Sequence, residues 1–200
     1  MSGDGQRTVT VTGAASASVR PDRASLSLGV QCRRSSAESA MGVSAERAGA
    51  VIAALREAGA GDDDLRTTGI NLWFDQSEHH YVASYSLTVD VPVDEVGRCL
   101  DVAATAAGDE FSLNGVSFSV ADPAPALAPL RELALADARA KATALASAEG
   151  ATVGAVLAIV EGGGAGFVPM PKGAMRAMAA PIEAGTDMLT LQVTATYELR

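Results

Sequence analysis

Between Thr186 and Leu199 apolar and polar residues take strict turns. Leu189, Leu191, Val193, Ala195 and Tyr197 alternate with Thr190, Gln192, Thr194, Thr196 and Glu198. Side chains repeat their direction every second residue only in an extended strand, so this is a strand with one buried face and one wet face. Val193 belongs to the buried set and Thr194 to the wet one. The start of the chain reads the same way, with Val9 and Val11 set between threonines. A long strand at each end, with helical segments between, points to a fold closed by its own termini.

Residues 7–20 form the first expected strand, stopped at Arg20-Pro21-Asp22, where Pro21 fixes φ and supplies no N–H. Residues 24–33 form the second, with Leu26, Leu28 and Val30 on one face. The short gap between them predicts an antiparallel hairpin. Ser36–Ala58 has helical spacing, a cap in Ser35 or Ser36, Glu38 in its first turn, and Gly59 and Gly61 after its end. Val43, Ala50, Ala54 and Leu55 are placed near one face of it. Asp62-Asp63-Asp64 is a solvated turn, because a calcium loop needs more widely spaced oxygens and a closing Glu.

Leu65–Asp75 and Ala83–Val91 are two further strands, separated by Gln76-Ser77-Glu78-His79-His80. Residues 93–107 form a short helix carrying Val96, Leu100, Val102 and Ala103, and 111–121 a strand ended by Asp122-Pro123. A long helix follows to about Glu149. Pro125 and Pro129 suit only a helix start, which allows the first turn to begin as late as Ala128. Asp137 and Lys141 form an i, i+4 pair on its outside. Val153–Val160 is the last strand before the terminal one. The order ββαββαβαββ is an α+β class, with antiparallel sheet or sheets and helices packed on one face. Residues 7–200 are expected to form a single domain, or two lobes of one.

Of the 200 residues, 48% are hydrophobic but only 4% aromatic, so the core must be built from Ala, Val and Leu. The formal charge of -9 repels phosphate backbones and argues against nucleic-acid binding. No apolar run approaches the roughly 18 residues of a membrane span. The opening MSGDGQRTVTVTG lacks a basic region followed by an apolar one. The expectation is therefore a cytoplasmic protein, or a periplasmic or envelope one if a leader has been trimmed. Cys32 and Cys99 are the only cysteines and form no CxxC. They are expected as two separate reduced thiols in or near the core, with a disulfide as the alternative in an exported protein.

Gly162–Gly185 is rich in Gly, Pro, Ala and Met and lacks strand periodicity, too long for an ordinary connection. Phe167, Met170, Met175 and Met178 are its candidate binding or association residues. Methionines suit adaptable apolar surfaces, and they also oxidise and ligate Cu(I). Gly162–Gly166 resembles a phosphate loop, but Phe167, Pro169 and Pro171 follow where a helix should start, and there is no GK[ST]. Asp75, Glu78, His79 and His80 are candidate metal ligands, although adjacent histidines point apart; an exposed hairpin tip is the expected reading. No metal or cofactor is expected. With both histidines at one loop tip, a Ser/His/Asp triad has little support, and Glu132 and Asp137 read as a solvated helix face.

The segments VTVTGAASASVRPDRASLSLGV, LRTTGINLWFDQ, ASYSLTVDV, LNGVSFSVADP, ALADARAKATALA, GATVGAVLAIVEG and PIEAGTDMLTLQVTATYEL together resemble the SIMPL-domain family, which includes YggE-like bacterial proteins. The resemblance spans about residues 8–199. It implies an α+β fold, a tendency to self-associate, and bacterial members that are exported and linked to oxidative-stress tolerance. It supplies no catalytic residues. The expected function is a non-enzymatic, self-associating protein in oxidative-stress protection or scaffolding, forming homo-oligomers. A binding module that holds a small ligand or peptide between the sheet and the 162–185 loop is the alternative, and an unrecognised hydrolase the weaker one.

Overall fold

A computed structural model describes residues 7–162, 166–169 and 185–200. They fall into two compact units. The first holds 7–20, 122–162, 166–169 and 185–200; the second holds 21–121.

In the first unit, β1 (Thr8–Val19) and β8 (Asp187–Leu199) pair antiparallel along their whole length, from Thr8 opposite Glu198 to Val19 opposite Asp187. The two ends of the chain thus close one sheet. On the other side of β8 lie β6 (Val153–Glu161) and, further along, β7 (Gly166–Pro169). β7 is a difference from the sequence reading. Its four residues are too few to show a period, and pairing with β8 is what makes them a strand. Leu189, Leu191, Val193, Ala195 and Tyr197 are buried, as their spacing requires. On the wet face the threonines bond across the ladder, Thr10 to Thr196 at 2.9 Å and Thr12 to Thr194 at 3.2 Å.

α3 (Ala124–Ala148) covers the buried face. Leu130, Ala134, Ala138, Ala142 and Ala146 recur every four residues and are buried. Pro129 sits in the helix interior, where only the bond to the Pro125 carbonyl is lost. The alanine stripe lets the helix lie unusually close to β1. A Cβ placed on Gly13 would fall on the carbonyl oxygen of Ala134, and within 2.5 and 2.8 Å of the Ala138 N and Cβ. Glycine is the one residue that fits there.

Asp137 and Lys141 do more than pair with each other at 2.7 Å. Asp137 Oδ2 also accepts the Ala14 N–H (2.8 Å), and Lys141 Nζ donates to the Thr12 carbonyl (3.0 Å). What reads as a solvated helix pair is a cap on the outer edge of β1. Lys141, and secondarily the Ala14 N–H, hold the Asp137 carboxyl below the usual carboxylate range.

In the second unit the sheet order is β3-β4-β2-β5, with β2 (Arg23–Arg34), β3 (Leu65–Asp75), β4 (His80–Pro92) and β5 (Phe111–Ser119). α1 (Ala37–Glu57) and α2 (Val96–Ala107) pack on one face over Leu26, Leu28, Val30, Leu87 and Val89. Ser36 caps α1 by accepting the Ser39 N–H. The buried face of α1 runs Ala40, Ser44, Ala48, Val51, Leu55, and Ala50 is exposed. With alanine spread all round that helix, hydrophobicity marks its face poorly.

The expected hairpin between the first two strands does not form, because β1 and β2 belong to different sheets. Asp22 explains where the chain turns instead. Its N–H donates to the Ser119 carbonyl, its carbonyl accepts the Val93 N–H, and its carboxylate accepts the Ala121 N–H at 2.8 Å. The residue after Pro21 is thereby tied to the second unit.

Two predictions follow from the packing of α3. Gly13→Ala forces overpacking against helix backbone and should cost about 1–3 kcal/mol or more in urea unfolding. Gly49→Ala, on exposed α1 where an added Cβ meets nothing, should gain about 0.5–1 kcal/mol. Separately, Val193→Asp buries an unpaired charge and should cost several kcal/mol, on the order of a domain's whole stability. Thr194→Asp, one residue along, should be far milder; equal losses in the two melting curves would contradict the register.

Candidate functional site

The histidine-bearing tip between β3 and β4 is a built turn. Asp75 Oδ1 accepts the Ser77 N–H (2.9 Å), the Ser77 hydroxyl (2.6 Å) and the Glu78 N–H (3.3 Å). The Ser77 hydroxyl, then the two N–H groups, lower the Asp75 pKa. His79 takes the left-handed conformation at φ 56°. Asp75 is thus engaged by its own loop, and among the described residues no group of three His, Cys, Asp or Glu is placed to hold a metal.

Gly162 donates its N–H to the Gln192 carbonyl at 2.9 Å, and Gly166–Pro169 is strand. Of that loop Gly162 and Gly166 lie in ladder positions, the strand Gly166–Pro169 stands where a phosphate loop needs a helix start, and residues 163–165 lie outside the described residues. The side chain of Phe167 and all of Met170, Met175 and Met178 lie outside the described residues.

A cavity of about 270 Å³ opens in the second unit between Arg23, Asp64, Asp90, Pro92, Glu95 and Cys99. Arg23 donates to Asp64 Oδ1 (2.8 Å) and to the Asp90 carbonyl (3.2 Å), while the Asp90 carboxylate takes Arg66. Arg23 and Asp64 answer each other, Glu95 is met by Arg98 from outside the lining as Asp90 is by Arg66, and the hollow contains no histidine. Glu132 is exposed and far in character from a paired catalytic carboxylate.

Cys32 and Cys99 are free and fully buried. Burial, and then the negative charge of Glu110 and Glu95 respectively, pushes each thiol up. The thiolate is the nucleophile, so neither is equipped for peroxide or exchange chemistry.

The features that sequence reasoning missed are two apolar sheet edges. In β3, Ile70, Leu72 and Phe74 line one face and Trp73 the other, each 44–51% exposed. Phe74 leans on Tyr81 at 5.0 Å between ring centroids. In β6, Val156, Leu157, Ile159 and Val160 are 46–61% exposed, again on both faces. The sequence marks both segments as strands, but a strand's own hydrophobicity does not tell whether anything covers it. Among the described residues the only charge in β6 is Glu161, held by Arg131 of α3 through bonds of 2.8 and 3.1 Å. The arrangement offers no acid–base pair. It offers strand edges suited to pairing with another chain.

The thiols yield a direct test. A thiol reagent should label neither cysteine in the native protein and both after unfolding, and the melting temperature should not change with reductant. Rapid native labelling would contradict the burial.

The comparisons with known proteins identify the family. The family model described as SIMPL, protein of unknown function (DUF541), matches residues 9–197. A "26 kDa periplasmic immunogenic protein" from Brucella melitensis biotype 1 is 31% identical over 217 residues, covering 96% of this chain and 84% of the relative. Its namesake from Brucella abortus strain S19 matches with the same identity and coverage. Both are named periplasmic, which overturns the cytoplasmic placement expected from the first residues. No helix among the described residues is long and apolar enough to cross one. By the match over 9–197 and the coverage of its relatives, the chain belongs to the SIMPL family, whose biochemical function is unknown.

Proposed function

We propose that this is a non-enzymatic, self-associating scaffold of the periplasm. The observation that carries the reading is the pair of exposed apolar sheet edges, β3 and β6. Each leaves backbone donors, acceptors and large side chains in water, the condition under which strands pair between chains. The periplasmic placement rests on the names of the two Brucella relatives. Between scaffolding and oxidative-stress protection, the buried and protonated thiols favour scaffolding, since cysteine-based capture of oxidants needs an accessible thiolate. The methionine-containing 162–185 segment, with Phe167, Met170, Met175 and Met178, is proposed as a secondary association element of a single 7–200 domain.

Sedimentation equilibrium across a concentration series tests the reading. The expected mass is a multiple of the 20.2 kDa chain. A 20.2 kDa species at every concentration, or turnover of a substrate by the purified chain, would overturn it.

A further inference from the structure

We infer that two copies of this chain join edge to edge through β6, antiparallel and about a two-fold axis. The inference rests on the self-association proposed above and names the surface that performs it.

The first unit has two sheet edges, and they are treated differently. At the β1 edge, α3 reaches over and occupies the backbone: Asp137 holds the Ala14 N–H and Lys141 the Thr12 carbonyl. An incoming strand would have to displace an ion pair. At the β6 edge nothing comparable is built among the described residues. β6 pairs with β8 on one side, and among the described residues no strand lies on the other. Because Gly162 donates to Gln192, the alternation of an antiparallel ladder turns the N–H and C=O of Glu161 and Ile159 outward. The pairing with β8 is irregular over Val153–Ala158 and regular from Ala158 to Glu161, so the regular half of the strand is the half that presents these groups.

Natural edges are commonly guarded by lysine, proline or an inward charge. β6 has no lysine, arginine or proline, and its one carboxylate is neutralised by Arg131. The occupant that fits is a second copy, for three reasons. Val153–Val160 is uncharged at every position, so a two-fold antiparallel contact along it brings no like charges together. Apolar side chains stand out on both faces, so pairing covers Ile159 on one face and Val160 on the other with apolar neighbours from the second copy. The chain carries a net charge of -9, and two acidic copies approach with least repulsion where charge is absent. Addition of β6 to β1 would have to displace the Asp137–Lys141 pair from Ala14 and Thr12, which favours the two-fold contact over head-to-tail addition.

Ile159→Lys and Val160→Lys test the inference on half-exposed positions that the folded chain tolerates. Both should keep the circular dichroism spectrum and urea midpoint of the parent. Both should fall to a lower-mass species, to 20.2 kDa if β6 is the sole contact. In the parent protein, hydrogen exchange at the amides of Ile159 and Glu161 should be slow at high concentration and fast on dilution. If both variants keep the parent's mass and these amides exchange fast when concentrated, or if Leu72→Lys on β3 alone disperses the assembly, the β6 contact is wrong while self-association stands. If the parent itself is 20.2 kDa throughout, the proposed function fails and the β6 contact with it.

Discussion

The close seat of α3 on β1 governs the first unit. Backbone meets backbone at Gly13, with Ala134 and Ala138 supplying the only side chains small enough to allow it. From that approach the rest follows. A helix this near the strand can extend Asp137 and Lys141 to the outer edge of β1 and take its free N–H and C=O into hydrogen bonds. A bulkier stripe would raise the helix and leave the edge open. The composition makes sense in this light. A core poor in aromatics gains its dispersion energy from short distances rather than from large side chains.

The consequence for function is an asymmetry. The same helix that closes the β1 edge leaves β6 with only Arg131 to its credit, and Arg131 neutralises rather than repels. In the second unit, β3 has exposed aromatic and aliphatic side chains on both faces. Charged hollows and histidine loops, which draw the eye in a search for chemistry, are internally satisfied here: Arg23 with Asp64, Asp75 with its own turn. Chemistry needs a group left poised and unpaired. Among the described residues, exposed strand edge and apolar surface stand out instead, and they are what the proposed assembly rests on.

Much of this architecture was legible in the sequence. Strict alternation along β8 identified the buried face residue by residue, because a period of two admits one geometry. Helix ends were marked by Ser36 and by the glycines after α1. The failures have physical causes. The β1–β2 hairpin was inferred from a short gap, but gap length says nothing of which sheet a strand joins; the three hydrogen bonds of Asp22 decide that. The face of α1 was blurred by alanines. That β3 and β6 are sheet edges was not legible, since a strand's hydrophobicity is the same whether its own chain or another covers it.

By itself the sequence determined the element order, the α+β class, the burial pattern of β8 and, through its ordered segments, the family. Those depend on local periodicity and on the order of residues along one chain. Tertiary structure alone decided that Gly13 is a contact point, that Asp137 and Lys141 guard an edge, and that among the described residues no strand covers the outer side of β6. Each of those is a relation between residues far apart in the chain, and no local pattern records it.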